Sequence, residues 1–251
     1  MIFFFSGTGN SRYLAQQLGK SLGDEVREMT FFTRPTGETI QDSRVVWVFP
    51  VHSWGIPKFV LDFISTVNVE AGARHFMVCS CGDDIGLTHV QWRSLMESRG
   101  WTAVAAYSVI MPNTYVLLPG FDIDSPEVAE RKLEAAASRI RDVATRIHLN
   151  WEGEEVKPGS MAAIKSKVIY PFFEKFMLSP RPFGYNKSRC YGCGKCAAHC
   201  PMGNILLDNL RRPEWGTNCT MCLACYHSCP VHAVNYGSRT KNKGQYLCPL
   251  R

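Results

Sequence analysis

Two copies of one cysteine pattern, near the end of the chain, constrain its fold more than any other feature. The first copy consists of Cys190, Cys193, Cys196 and Cys200, and the second of Cys219, Cys222, Cys225 and Cys229. A proline directly follows the last cysteine of each copy. Thiolates two residues apart can converge on one inorganic centre, because only short loops separate them. Eight cysteines in two such copies are atypical of a zinc site or a disulfide scaffold, and they favour iron–sulfur chemistry.

The segment from Tyr185 to Tyr246 resembles the bacterial ferredoxins that hold two [4Fe–4S] clusters. In that family the fourth cysteine of each copy ligates the cluster of the other copy. The resemblance therefore implies two interleaved ligand sets. Cluster I would be held by Cys190, Cys193, Cys196 and Cys229, and cluster II by Cys219, Cys222, Cys225 and Cys200.

Charge is distributed unevenly along the 251 residues, which together carry a formal net charge of +6. Residues 1–156 contain 14 basic and 19 acidic side chains, whereas residues 157–251 contain 14 basic and 3 acidic ones. Because thiolate-bound clusters would lower the positive charge, nucleic-acid binding is not favoured. The positive surface that remains suits redox partner proteins with an acidic docking surface.

The sequence predicts no transmembrane segment, because no apolar run is long enough to cross a bilayer. Met1–Phe5 lacks the basic start of a signal peptide and gives way to a polar glycine loop. Thiols that are free to bind metal are typical of a reducing compartment, so we expect a cytoplasmic protein.

A glycine- and hydroxyl-rich loop separates a predicted strand, Ile2–Phe5, from a helix that carries Leu14, Leu18 and Leu22. The loop consists of Ser6, Gly7, Thr8, Gly9, Asn10 and Ser11. Its backbone N–H groups and the helix N-terminus suit a phosphate, although a plain strand-to-helix turn has the same pattern. Neither a dinucleotide-binding nor a P-loop NTPase motif is present. The loop resembles the phosphate loop of flavodoxins, with Ser6 and Ser11 in place of two threonines.

Two later loops resemble the loops that contact the flavin in flavodoxins. The first loop follows the predicted strand Val45–Phe49 and comprises Pro50, Val51, His52, Ser53, Trp54 and Gly55. The second begins at the end of the predicted strand Phe76–Ser80 and comprises Ser80, Cys81, Gly82 and Asp83. The resemblance implies that Trp54 stacks on the flavin, with ordinary packing as the alternative. His52 would bond the flavin edge or face solvent. Cys79 and Cys81 are interpreted as small buried hydrophobes. Asn113 and Tyr115, in the loop after the predicted fifth strand Ala103–Ile110, would border the site.

Residues 1–150 alternate strand and helix five times, which predicts an α/β domain with a doubly wound parallel sheet. The flavodoxin resemblance implies five strands in the order 2-1-3-4-5, with FMN at the switch point between strands 1 and 3. Residues 185–251 would form a small α+β ferredoxin-like domain with two clusters. The connector, residues 151–184, is expected to contain a loop at Glu152–Pro158 and an amphipathic helix.

The connector helix carries Ile164, Val168, Phe172 and Phe176 at helical spacing, with lysines nearby. We expect this stripe to pack against the flavodoxin-like domain or against a second subunit in a homodimer. A basic helix that lies on a membrane surface is the alternative.

Over nearly its full length the chain resembles a flavodoxin–ferredoxin fusion of the kind found in anaerobes. The resemblance implies an electron-transfer flavoprotein that passes electrons between FMN and two [4Fe–4S] clusters, with cluster I next to the flavin, and on to redox partners. The alternative is an FMN-dependent reductase of a small organic substrate, fed with electrons through the clusters. No substrate-specific catalytic motif is present, so whether the protein is an enzyme stays open.

Overall fold

The computed structural model describes residues 1–34 and 36–249. Residue 35 of the predicted flavodoxin-like domain and residues 250 and 251 of the predicted ferredoxin-like domain lie outside the described residues. Within the described part, none of the helices combines the length and the apolar character that a membrane crossing requires.

A parallel sheet of six strands forms the N-terminal domain, with the order β2-β1-β3-β4-β5-β6. The strands are β1 Ile2–Phe4, β2 Val26–Glu28, β3 Arg44–Pro50, β4 Arg74–Cys81, β5 Thr102–Ile110 and β6 Gly153–Glu155. The first five follow the flavodoxin order 2-1-3-4-5, so the predicted fold class is confirmed. A separate parallel pair joins Thr39–Ile40 to Asn68–Val69.

Helices cover both faces of this sheet. They are α1 Asn10–Leu22, α2 Lys58–Thr66, α3 Thr88–Ser98 and α4 Pro126–His148. Alternate side chains of the central strands point to opposite faces, so Trp47 packs with α2 and α3 while Val46 and Val48 pack with α1 and α4. Both faces are buried, which explains why these strands are almost continuously apolar.

The ends of two helices follow from local sequence signals. Gly23 takes a left-handed conformation at the end of α1, with φ 71°, and its N–H donates to the Gly19 carbonyl at 2.9 Å. At the start of α4 the Ser125 hydroxyl accepts from the Val128 N–H at 3.4 Å, and Pro126 occupies the first helical position.

The prediction of five strands and of a loop at Glu152–Pro158 is wrong in one respect, because β6 lies within that loop. This strand pairs in parallel with β5 through Ala105 opposite Gly153 and Tyr107 opposite Glu155. Its Gly-Glu-Glu sequence lacks β-branched and aromatic residues. It forms because a sheet edge can carry polar side chains, and Arg139 and Arg146 pair with Glu155 at 2.7 and 3.0 Å.

The C-terminal domain contains two small antiparallel pairs and two one-turn helices. Phe183–Tyr185 pairs with Val234–Tyr236, and Ile205–Leu207 pairs with Pro213–Trp215. The helices are Lys195–Ala198 and Ala224–His227. Each helix contains the third cysteine of one copy, so the two cysteine patterns adopt equivalent local structures.

The connector is helical from 162 to 177, with α-helical turns at Ala162–Ile164 and Tyr170–Phe172 and π-helical turns at Lys165–Ile169 and Phe173–Met177. Packing of the stripe Ile164, Val168, Phe172 and Phe176 against the flavodoxin-like domain was the wrong expectation, since all four are exposed. The helix instead packs through Ser166, Tyr170 and Phe173. These three residues take the inner side of the helix, so the apolar stripe lies on the outer side.

Replacing Trp47 by Ala is expected to lower the free energy of unfolding by about 3–5 kcal/mol. Trp47 is fully buried, stacks on Phe3 at 5.1 Å between ring centroids and donates to His75 Nδ1 at 3.1 Å. Urea unfolding of the cofactor-loaded protein measures the change, with exposed Leu149→Ala as the control. A loss below about 1 kcal/mol would contradict this role for Trp47.

Candidate cofactor-binding site

The glycine- and hydroxyl-rich loop lies between β1 and α1, where the N-terminus of a 13-residue helix opens onto a small cavity. Gly9 adopts φ 98°, and its N–H donates to Ser6 Oγ at 3.1 Å. The hydroxyls of Ser11 and Ser80 lie 2.8 Å apart, and Asn10 Nδ2 donates to the Pro112 carbonyl at 2.9 Å. These bonds hold hydroxyl groups and a helix N-terminus at one point, an arrangement that suits an anion.

A wider cavity adjoins this loop at the carboxyl edge of the sheet, with about 1230 Å³ of space free of protein atoms and partly open to solvent. The loops after β3, β4 and β5 form three of its walls. The connector helix adds Lys165 and Phe173, and the C-terminal domain adds Met221, Cys222 and Leu223. The site is therefore assembled from all parts of the chain.

A tight turn presents Trp54 to this cavity. The N–H and C=O groups of His52 and Gly55 pair at 3.0 and 3.1 Å, and both central residues are left-handed, with φ 48° at Ser53 and φ 65° at Trp54. This is a type I′ turn without glycine at either central position, which is an unfavourable conformation for L-residues. The connector holds it, because Ser166 Oγ donates to the Trp54 carbonyl at 2.7 Å.

A largely buried ion pair lies beside the same tryptophan. Lys165 Nζ is 2.6 Å from Asp84 Oδ2 and 5.1 Å from the centroid of the Trp54 ring. Both partners of the pair line the wide cavity. Lys165 therefore links the connector helix to the loops after β3 and β4, and it places a cation over the face of the Trp54 ring.

Two side chains of the cavity wall are held uncharged by their surroundings. Burial lowers the pKa of His52 to about 4, so its imidazole is neutral at pH 7. Burial, together with Asp84 and Asp83, raises the pKa of Cys81 to about 12, so its thiol stays protonated. Burial also raises the pKa of Cys79. These two cysteines have the character of core residues and lack that of nucleophiles.

The structure brings the predicted flavin-site residues to these two adjoining cavities, with two exceptions. Gly9 and Gly55 do not line either one. A side chain at Gly9 would meet Cys248, and one at Gly55 would clash with the ring of Tyr170. Asn113 and Tyr115 line both cavities, and His52 lines the wider one.

Sequence reasoning did not single out, as part of the flavin site, several residues that line the wide cavity, most of which come from distant parts of the chain. They are Asp84, Phe121, Lys165, Phe173, Met221, Cys222 and Leu223. Asp84 directly follows the predicted residue Asp83, so its position after β4 was a usable signal. Phe121 belongs to the long loop after β5, and the packing of the connector and the C-terminal domain brings the other five to the cavity.

The eight motif cysteines surround two separate cavities in the C-terminal domain. One is lined by Cys190, Cys193, Cys196 and Cys229, and the other by Cys200, Cys219, Cys222 and Cys225. These are the two interleaved sets that the sequence predicts, and ligation itself stays a prediction. Within the described residues, no three ligating side chains approach closely enough for a single metal ion. Each cavity is lined by four thiols, which is the ligand set that a [4Fe–4S] cluster requires.

Backbone N–H groups approach several of these sulfurs. The Ala233 N–H donates to Cys229 Sγ at 3.1 Å, and the Asn204 N–H donates to Cys200 Sγ at 3.4 Å. Such bonds stabilise thiolate charge and set cluster potentials. Burial raises the pKa of Cys219 to about 11 and that of Cys222 to about 12, so cluster assembly must displace protons from these thiols.

Cys222 lies on the wall of both the second cysteine cavity and the wide cavity. Its main chain rests on the glycine-rich loop, because a side chain at Gly7 would clash with the Cys222 carbonyl oxygen. Cys193, from the first cysteine set, is exposed at the surface instead. The second cysteine set is therefore the one next to the predicted flavin site.

The C-terminal tail closes the loop from another side. The Cys248 N–H donates to the Thr8 carbonyl at 2.8 Å, and the Tyr246 N–H donates to His227 Nδ1 at 3.1 Å. His227 in turn bonds the Thr114 carbonyl through Nε2 at 2.8 Å. Cys248 is buried in this contact, and sequence reasoning missed it because it belongs to neither motif.

Comparison with known proteins identifies the cysteine-rich segment. Residues 189–234, which contain all eight motif cysteines, match the family described as the 4Fe-4S dicluster domain. A 55-residue stretch is 42% identical to the putative electron transport protein YccM of Escherichia coli (strain K12). That match covers 22% of this chain and 15% of YccM, so the chain spans only a small part of this relative.

Solved structures show distant similarity to part of the chain. A flavodoxin from Streptococcus pneumoniae TIGR4 is 18% identical, with 55% of this chain and 97% of that one covered and a TM-score of 0.36. Rubredoxin oxygen:oxidoreductase from Desulfovibrio gigas is 15% identical, with 58% and 36% covered and a TM-score of 0.35. The fold assignment rests on the strand order of the sheet. The chain joins a domain with the flavodoxin strand order to a segment that matches the 4Fe-4S dicluster domain.

Replacing Trp54 by Ala is expected to weaken FMN binding by roughly 2- to 10-fold, because an aromatic contact contributes about 0.5–1.5 kcal/mol beyond its buried area. Fluorescence titration of the flavin-free protein measures the dissociation constant. Trp54→Phe is the matched control and should retain most of the affinity. Unchanged affinity in Trp54→Ala would remove this residue from the flavin contact.

Replacing Cys196 or Cys222 by Ala is expected to have different effects on the flavin. Cys196 lines only the cavity remote from the flavin site, so its loss should remove about four iron atoms and spare FMN. Cys222 lines both the second cysteine cavity and the wide cavity, and its main chain rests on Gly7, so loss of cluster II should remove a similar amount of iron, loosen this loop and weaken FMN binding about tenfold. Iron analysis and flavin titration under anaerobic conditions measure both. Equal flavin affinity in the two variants would contradict the asymmetry.

Proposed function

We propose that this protein transfers electrons between one FMN and two [4Fe–4S] clusters and passes them on to redox partner proteins. The observation that carries the proposal is the position of Cys222, which lines both the second cysteine cavity and the predicted flavin cavity. A shared wall would bring the two redox groups close together, which favours direct electron transfer between them.

The residues present fit both cofactors. Ser6, Thr8 and Ser11 with the α1 N-terminus would hold the FMN phosphate, and Trp54 would contact the flavin ring. The two interleaved cysteine sets would hold the clusters. When bound, FMN exchanges one or two electrons and a [4Fe–4S] cluster exchanges one, so the pair links one- and two-electron carriers.

The protein groups around the flavin cavity position the cofactor and exclude water. Neutral His52 and protonated Cys81 leave Asp83, Asp84 and Lys165 as the ionisable groups at this wall that carry charge. The ion pair between Lys165 and Asp84 at 2.6 Å fixes the connector over the cavity. These groups thereby set the electrostatic environment of the flavin.

The order of the redox groups differs from the sequence expectation, which put cluster I next to the flavin. In our proposal the order is flavin, cluster II, cluster I, because Cys222 belongs to the cluster II set and Cys193 of the other set is exposed. Cluster I would then be the point of exchange with external proteins.

The surface near the exposed Cys193 is basic, which supports a partner with an acidic docking surface. Lys187, Arg189, Lys195 and Arg211 are exposed in this part of the domain. The Arg211 Nε–H donates to the Gly192 carbonyl at 3.1 Å, so one of these cations lies against the first cysteine loop itself. Opposite charges at such a site accelerate encounter and orient the partner.

Anaerobic loading should give one FMN and about eight iron atoms per chain. Laser-flash reduction of the flavin with a deazaflavin donor, followed at flavin and cluster wavelengths, tests the order. Cys193→Ala should lose cluster I and retain fast transfer between flavin and cluster II. Cys219→Ala should lose cluster II and slow transfer from the flavin by at least about tenfold, since the intervening group is gone.

Fast transfer in Cys219→Ala would contradict the proposed order. Saturable reduction of a small organic acceptor by the loaded wild-type protein would contradict a pure carrier role and would favour the reductase alternative. Iron and sulfide counts near zero with stoichiometric zinc would contradict both the electron-carrier role and the reductase alternative.

A further inference from the structure

The exposed side of the connector helix carries an apolar stripe, which we define as Met161, Ile164, Val168, Ile169, Phe172 and Phe176. These side chains are between 40% and 67% exposed. Isolated exposed hydrophobic residues are common, but a continuous group of this size on one helix marks an interaction surface. These side chains are not buried against the flavodoxin-like domain, as the sequence analysis expected, so the surface they form is uncovered.

The opposite side of the helix is fixed to the N-terminal domain, so the apolar stripe cannot turn inward. The Ser166 hydroxyl donates to the Trp54 carbonyl and accepts from the Leu87 N–H, both at 2.7 Å. The Tyr170 hydroxyl donates to the Ile56 carbonyl at 2.7 Å, and Phe173 is buried. Rotation of the helix would break all of these contacts at once.

Only positive charge accompanies the apolar stripe. Lys167 and Lys175 are exposed on the same side, and Lys175 Nζ lies 5.3 Å from the centroid of the Phe176 ring. Glu174, the acidic residue of the helix, is half-buried on the packed side, where Lys58 and Asp62 act on it. The outward face therefore combines hydrophobic residues with lysines and carries no carboxylate.

We propose that the connector helix docks the protein on the surface of a lipid bilayer that contains anionic lipids. Apolar side chains at the boundary of the acyl chains, with lysines near the headgroups, are typical of helices that lie in the plane of a membrane. A second copy of the chain fits less well, because two such faces would bring their lysines close together, whereas anionic headgroups would neutralise them. This inference does not depend on the proposed electron transfer.

Flotation of the cofactor-loaded full chain with lipid vesicles tests the proposal. The wild-type protein should float with vesicles of equal parts phosphatidylglycerol and phosphatidylcholine. The Phe172→Ser/Phe176→Ser variant should lose at least about tenfold in partition coefficient, because each phenylalanine contributes apolar area to the bilayer contact. Leu149→Ser/Leu206→Ser is the matched control, since both leucines are at least 70% exposed elsewhere on the surface.

A second pair of variants tests the charge component. Lys167→Gln/Lys175→Gln should weaken binding to the anionic vesicles by about tenfold or more, with little effect on pure phosphatidylcholine. Raised ionic strength should weaken wild-type binding in the same direction. Lys20→Gln/Lys241→Gln, at exposed sites on other elements, should bind as the wild type does.

Flavin and iron content, measured for each variant, establishes that it is folded. Failure of the wild-type protein to float with anionic vesicles would overturn the proposal, and so would an equal loss in the leucine control. Light scattering after size exclusion supplies the remaining test. A dimer that Phe172→Ser/Phe176→Ser abolishes, with no vesicle binding by the wild type, would assign the face to a second copy instead.

Discussion

The contact between Gly7 and the main chain of Cys222 is the constraint on which the rest of the structure depends. Because no side chain fits between them, the first loop of the sheet domain and the second cysteine loop touch backbone to backbone. Every other element of the site is arranged around this contact. The turn at Trp54, the loop at Asn113 and the connector close the remaining sides of the same cavity.

The connector acts as a structural wall of the site, which its position between two domains does not suggest. It supplies Lys165 to the cavity and bonds the carbonyls of Trp54 and Ile56. Those bonds stabilise a turn whose two central residues are left-handed, a conformation that costs of order 1–3 kcal/mol per residue. The strained turn at Trp54 therefore depends on the hydrogen bonds that anchor the connector.

The sequence predicts those features that depend on local patterns. Buried strands such as Val45–Phe49 and the cap at Ser125 follow from side-chain type and spacing, and the cysteine sets follow from the ferredoxin register. Strand Gly153–Glu155 was missed because its polar residues are stabilised by a sheet edge and by two arginines from α4. Periodicity revealed the stripe through Phe172 but not which side of the helix meets the protein. Cys248 and Phe121 reach the site through tertiary contacts that no local pattern encodes.

The hydrogen bond from the Cys248 N–H to the Thr8 carbonyl has a consequence for the order of assembly during synthesis. Thr8 leaves the ribosome some 240 residues before its partner Cys248. The sheet domain can form its apolar core before that moment, but the glycine-rich loop gains its last wall only when the cysteine-rich domain has folded. The loop is therefore completed only after the C-terminal segment has been made and has folded against the sheet domain.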